Sequence, residues 1–172
     1  MLLRAALVLC LTTIMPIAVA GRQCGSDQVF SNCYLTIEPP QIVQCAFDGT
    51  TENVFRDQIV GALEKAMDYF VSGEPNIRLK KFGNRERFQW AKDGCAGLQM
   101  FEYPVVTPPR QPPGPFRVIF SNQGNYNDQN GQPVSVFTYC GTITHPNERS
   151  PAFTHCTELF DWLLDQNESI SA

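Results

Sequence analysis

Helical spacing occurs once in this chain, and that restricts the folds open to it. Phe55, Ile59, Leu63, Met67 and Phe70 recur at the helical period, with Val60 and Ala66 beside them. Arg56, Asp57, Glu64, Lys65 and Asp68 fall mostly off that stripe. The pattern predicts one amphipathic helix from Thr51 or Glu52 to about Val71, stopped by Ser72-Gly73 with Pro75 beyond. Its apolar stripe should face the protein interior, not a cofactor. Tyr34–Ile37 and Ile42–Gln44 precede it as short strand candidates. After it come apolar, β-rich runs at Met100–Val105, Phe116–Phe120 and Val136–His145. A disulfide-tied N-terminal segment, one helix and then an antiparallel sheet make an α+β fold in a single domain, residues 21–172. Residues 107–115 are too proline-rich to pair regularly and read as a stiff surface loop. Residues 121–133, rich in Asn, Gln, Gly and Asp, read as a second long loop.

Arg4, the apolar stretch from Ala5 to Val19 and Ala18-Val19-Ala20 together read as a secretory signal peptide over residues 1–20. The apolar stretch is too short for a convincing membrane anchor, and no second one follows. Of the 7 cysteines, Cys10 would be lost with the leader. Cys24, Cys33, Cys45, Cys95, Cys140 and Cys156 remain, an even set that reads as disulfides in a secreted chain. Close-spaced metal-ligand pairs are absent, so no metal and no cofactor is expected. Asn167-Glu168-Ser169 is a glycosylation sequon near a C-terminal tail expected to be mobile. The formal net charge of −4 is unlike that of a general nucleic-acid coat protein. Basic residues nevertheless cluster at Arg78, Lys80, Lys81, Arg85, Arg87 and Lys92, either as a solvated loop or as a local phosphate-attracting patch.

Three of the strand-like runs each carry one chemically capable group: Glu102, Arg117 and His145. Strands adjacent in sequence usually pair, so the three can share one sheet face. A carboxylate, a guanidinium and an imidazole supply a base, a fixed positive charge and an acid, which is what phosphodiester cleavage needs. Taken singly, each has a plainer reading: a solvent-facing carboxylate, its ion-pair partner, and a strand-end histidine with a satisfied hydrogen bond.

Phe101-Glu102-Tyr103-Pro104, Gly114-Pro115-Phe116-Arg117-Val118-Ile119-Phe120, Tyr139-Cys140-Gly141-Thr142-Ile143-Thr144-His145 and Phe153-Thr154-His155-Cys156 follow one another in that order. Together they resemble the secreted fungal guanyl-specific ribonucleases and their sarcin-like ribotoxin branch over roughly residues 45–156. The resemblance implies Glu102 as general base on the ribose 2′-hydroxyl and His145 as general acid on the departing 5′-oxygen. It implies Arg117 on the phosphate, Phe153 packed beside it, and a 2′,3′-cyclic phosphate product. DNA, which lacks the attacking hydroxyl, would not be cut. Phe82 to Glu86 resembles the guanine-recognition loop: Phe82 packs on the base, Gly83 and Asn84 read its edge through the backbone, and Glu86 accepts from its N–H groups. The resemblance further implies Cys45–Cys156 and Cys95–Cys140, with Cys24–Cys33 left as a local clasp.

One stretch departs from the family pattern. Where the family has Tyr-Pro-His after the helix, this chain has Arg78-Leu79-Lys80. Lys80 can still stabilise the phosphate and favour the ionised form of Glu102. The expected partner is single-stranded RNA, bound by a monomer that has no membrane contact. A catalytically impaired, ribonuclease-like effector that binds RNA or a host protein is the alternative. A ribosome-directed toxin fits less well, because such toxins are usually strongly basic. His155, beside a cysteine, is given no role by the resemblance.

Overall fold

The computed structural model describes residues 22–24, 31–106 and 114–159, with side chains from residue 33 onward. The leader, the sequon at Asn167 and most of the proline-rich segment lie outside the described residues. In chain order the elements are β1 (Arg22–Cys24), β2 (Ser31–Leu35), β3 (Ile42–Phe47), β4 (Thr50–Phe55), α1 (Arg56–Ser72), β5 (Lys80–Lys81), β6 (Met100–Pro104), β7 (Phe116–Asn127), β8 (Pro133–Thr144), β9 (Thr154–His155) and β10 (Thr157–Leu159). The fold is α+β: among the described residues, one helix lies on sheets whose pairing is antiparallel, except where β2 runs parallel to β8. The larger sheet runs β1-β2-β8-β7-β6-β5, with β9 on β8, and the smaller runs β10-β3-β4.

The helix begins later than its periodicity predicts. Asp48 and Gly49 both adopt left-handed backbone, φ 50° and 77°. A two-residue Asp-Gly loop of that kind closes a hairpin. Thr50–Phe55 therefore pairs with β3 and is not helical. α1 then starts at Arg56, where the Gln58 Oε1 accepts a hydrogen bond from the Phe55 backbone N–H at 2.9 Å. Phe55 is 48% exposed and drops out of the apolar stripe, whereas Ile59, Leu63 and Met67 are buried. The helix ends at Gly73, φ 67°, where left-handed backbone is easiest for glycine.

The loop expected over residues 121–133 is instead mostly strand. β7 and β8 continue as one long hairpin to Asn127 and Pro133, with register shifts at Ile119/Phe120 and Asn122/Gly124. Polar side chains satisfy each other along it: Gln123 Nε2 donates to the Gly94 carbonyl at 2.6 Å and to Thr138 Oγ1 at 3.0 Å. At the tip, the Asp128 carboxylate accepts from the Asn130 and Gln132 backbones, both at 2.8 Å.

The two faces of the larger sheet carry different cores. On one, Ile59, Leu63 and Met67 of α1 join Tyr103, Phe116, Val118 and Phe120. On the other, Met100, Ile119 and Ile143 lie under Phe82, Trp90 and the Cys95–Cys140 disulfide. This second cover is the segment from Phe82 to Gln99, which contains no strand and depends on anchors. Besides the disulfide, Lys92 Nζ donates to Glu158 Oε1 at 2.6 Å and stands 4.0 Å over the Tyr139 ring. Lys92 is thereby withdrawn from the basic patch, in which Arg78, Lys80, Lys81, Arg85 and Arg87 remain exposed. Cys45 is bonded to Cys156. Cys33 is also disulfide-bonded, while its expected partner Cys24 has a side chain outside the described residues.

Candidate active site

Strand register decides which side chains meet. Lys80 pairs with Glu102, Glu102 with Ile119, Pro104 with Arg117, and Arg117 with Ile143. Directly paired residues project to the same face, as do residues two apart on one strand. Lys80, Glu102 and Arg117 therefore share the face opposite α1, and His145 follows two residues after Ile143. The Phe82–Gln99 segment covers only part of that face. Where the cover stops, a cleft of 470 Å³ opens, lined by Ile77, Arg78, Lys80, Glu102, Pro104, Arg117, His145 and Phe153.

Each group is held by specific contacts. Arg117 Nη1 donates to the carbonyls of Gly114 and of Phe116, the latter at 2.9 Å. A guanidinium has five N–H donors, so those bonds leave others for an anion. His145 Nδ1 lies 3.1 Å from the Ala152 carbonyl. A carbonyl can only accept, so Nδ1 carries the proton in that contact and Nε2 remains for chemistry. The imidazole packs on Phe153 with ring centroids 4.0 Å apart. Phe153 is in turn fixed through its backbone N–H, which donates to Glu86 Oε1 at 3.0 Å.

The electrostatics of Glu102 are opposed. Burial, the largest influence, raises its pKa above the usual carboxylate range, and Glu86 adds to the rise. Arg117, Lys80 and His145 pull it back. The net result is a raised pKa, which brings a carboxylate base nearer to neutral pH. Burial also works against the charge on Arg117, which Glu102 supports. A carboxylate, an imidazole with one free nitrogen, and neighbouring cations can remove a proton on one side of a phosphate and deliver one on the other.

The structure brings six of the sequence-derived candidates to one cleft: Glu102, Arg117, His145, Lys80, Arg78 and Phe153. The proposed base-reading loop is placed differently. Phe82 is 6% exposed. Its ring lies 6.3 Å from Phe88 and 5.9 Å from Trp90, within the core, so it offers no platform for a base. Asn84 uses its side chain internally, accepting from the Phe88 N–H at 2.7 Å and donating to the Phe88 carbonyl at 3.0 Å. That contact shapes the loop and leaves Gly83 exposed. Glu86 stands at the cleft's edge through its contact with Phe153. Ile77, 89% exposed, and Pro104 line the cleft without having been singled out in the sequence. A lone exposed isoleucine carries little signal, because scattered surface apolar residues are common.

Fold and cleft together define a small disulfide-tied α+β protein with acid–base groups and cations around one opening. A family model described as ribonuclease matches residues 42–157, and the chain belongs to that family. Membership carries RNA cleavage as the general activity and RNA as the substrate. Neither the curated proteins nor the solved structures contain a match to the chain.

Proposed function

We propose that the chain is a secreted endoribonuclease that cuts single-stranded RNA after guanosine, leaving a 2′,3′-cyclic phosphate. Glu102 takes the proton from the 2′-hydroxyl. Arg117 and Lys80 hold the phosphate as its charge grows. His145, as the imidazolium with its Nδ1–H on the Ala152 carbonyl, gives its Nε2 proton to the 5′-oxygen as it departs. What supports this reading is the convergence of Lys80, Glu102, Arg117 and His145 on a single cleft. Lys80 takes over the electrostatic part of the family's missing histidine, since its charge favours the carboxylate form of Glu102. Guanosine preference rests on the family resemblance and on Glu86, whose carboxylate sits beside Phe153 at the cleft's edge. Secretion rests on the leader-like first twenty residues and on disulfides, which persist in oxidising compartments.

The replacement of the family histidine by Lys80 favours a second reading, an impaired enzyme that binds RNA or a host protein in the same cleft. One experiment separates the two. Purified mature protein is incubated with the dinucleotides GpC and ApC, and the cyclic phosphate is quantified. Wild type should convert GpC faster than ApC, and His145→Ala and Glu102→Ala should each lose about 10²–10⁴-fold. No product together with retained RNA binding would establish the second reading. Equal residual activity in wild type and both variants would identify a contaminant.

A further inference from the structure

A second groove, of 360 Å³, lies between α1 and the end of β6. It shares Arg78 and Pro104 with the cleft, so the two openings are continuous around the end of β6. Glu102 belongs to the cleft and Tyr103, the next residue, to the groove, so β6 presents alternate side chains to each. Lys65 from α1 and Arg78, between α1 and β5, supply positive charge among the lining residues. Tyr69 lines the groove half-buried and lies 6.3 Å from Tyr103, with the two rings inclined at 30°. Asp57 is the one carboxylate among the lining residues.

We propose that this groove binds a further nucleotide of the substrate strand, beyond the two joined by the scissile phosphate. The inference rests on the ribonuclease reading of the cleft. Its physical basis is the pairing that sequence-tolerant single-strand binding uses, cations along the backbone and an aromatic ring for a base. Lys65 and Arg78 take the phosphate and Tyr69 gives the base an aromatic surface. Arg78 at the shared rim spans the turn from one opening to the other. Asp57 opposes the anion and limits the affinity.

The test separates chain length from chemistry. kcat/KM is measured on GpC and on single-guanosine hexanucleotides extended on either the 5′ or the 3′ side. The proteins are wild type, Lys65→Glu, Lys65→Arg and Asp57→Asn, with thermal midpoints as folding controls. Lys65→Glu should keep GpC cleavage within about twofold, yet lose about 5- to 10-fold on the hexanucleotide extended toward the groove, as removal of a phosphate contact requires. Lys65→Arg should retain that activity, and Asp57→Asn should raise it. Binding of a hexanucleotide carrying 2′-deoxyguanosine, which cannot be cut, is followed against salt in parallel. Its log–log slope should shrink by about 0.7 in Lys65→Glu, the share of one single-strand phosphate contact. The same hexanucleotide-to-dinucleotide ratio and the same salt slope in wild type and Lys65→Glu would overturn the groove assignment while leaving the cleft intact. Should wild type cut neither substrate, the catalytic reading fails, and an unchanged salt slope would then dismiss the groove as well.

Discussion

At the residue scale, Glu102 sets function against stability. Its pKa is raised chiefly by burial, so the folded protein holds a proton there more tightly than the unfolded chain does. Between the unfolded and folded values the native state binds more protons, and stability falls as pH rises through that window. Above it, the full penalty of a partly buried carboxylate remains. Glu102→Gln should therefore raise the thermal midpoint at neutral pH and change it little at acid pH, while lowering kcat by about 10²–10⁴-fold. A midpoint lowered equally at both pH values would contradict the burial account. Lys80 acts on the same group with opposite sign. Its charge favours the carboxylate, so Lys80→Met should move the acid limb of the pH–kcat/KM profile upward. An acid limb that stays in place would remove Lys80 from the environment of Glu102, whatever happened to the maximal rate.

At the scale of elements, the face that carries the cleft also carries a close approach. Gly141 pairs with Ile119 on β7, beneath the cover segment. A Cβ there would meet Trp90 Cζ3 at 2.8 Å. The ring is 9% exposed and packed against Phe82 and Phe88, so it has little room to yield. Gly141→Ala should destabilise by about 1–3 kcal/mol, the usual range for overpacking, as read by urea unfolding. A neutral result would mean that the cover segment shifts freely. Elements differed in how legible they were. The body of α1 and its glycine stop could be read because period and punctuation agree. Residues 51–55 look helical because Thr51 and Glu52 resemble capping residues, while the deciding Asp48-Gly49 turn lies just upstream. The outer β7–β8 hairpin was hidden because its polar residues are satisfied by one another along the strands. That Glu102, Arg117 and His145 can share a face follows from strand adjacency; the register that aligns Glu102 with Ile119 and Arg117 with Ile143 does not show in the sequence. The burial of Phe82 was not, because it depends on Trp90 and Cys95, which no local pattern ties to it.

At the scale of the whole molecule, two long disulfides close loops with sequence separations of 111 and 45 residues. The chain-entropy model assigns them about 4–5 and about 4 kcal/mol, so stability alone barely tells them apart. Their surroundings do. Cys156 follows β9, and its backbone N–H donates to the Thr142 carbonyl at 3.0 Å. The flanking residues stay paired as well, Ile143 with His155 and Gln44 with Thr157. Without Cys45–Cys156 that segment keeps its place through the sheet. Cys95 has no strand pairing beside it: the Phe82–Gln99 segment is held by the disulfide, the Trp90 packing, the Lys92–Glu158 pair and the Ser121 and Gln123 side chains on the Gly94 carbonyl. That segment carries Glu86, which fixes Phe153, on which the His145 ring rests. Both double-alanine variants should lose several kcal/mol in urea unfolding. Assayed well below their midpoints, they should diverge. Cys45→Ala/Cys156→Ala should retain kcat/KM within a few fold. Cys95→Ala/Cys140→Ala should lose between about 10- and 100-fold, the penalty for ångström-scale misplacement of a reacting group. Equal activity in the two would mean that His145 is held by its own strand and by the Ala152 carbonyl, and that the cover segment protects the core without shaping the chemistry.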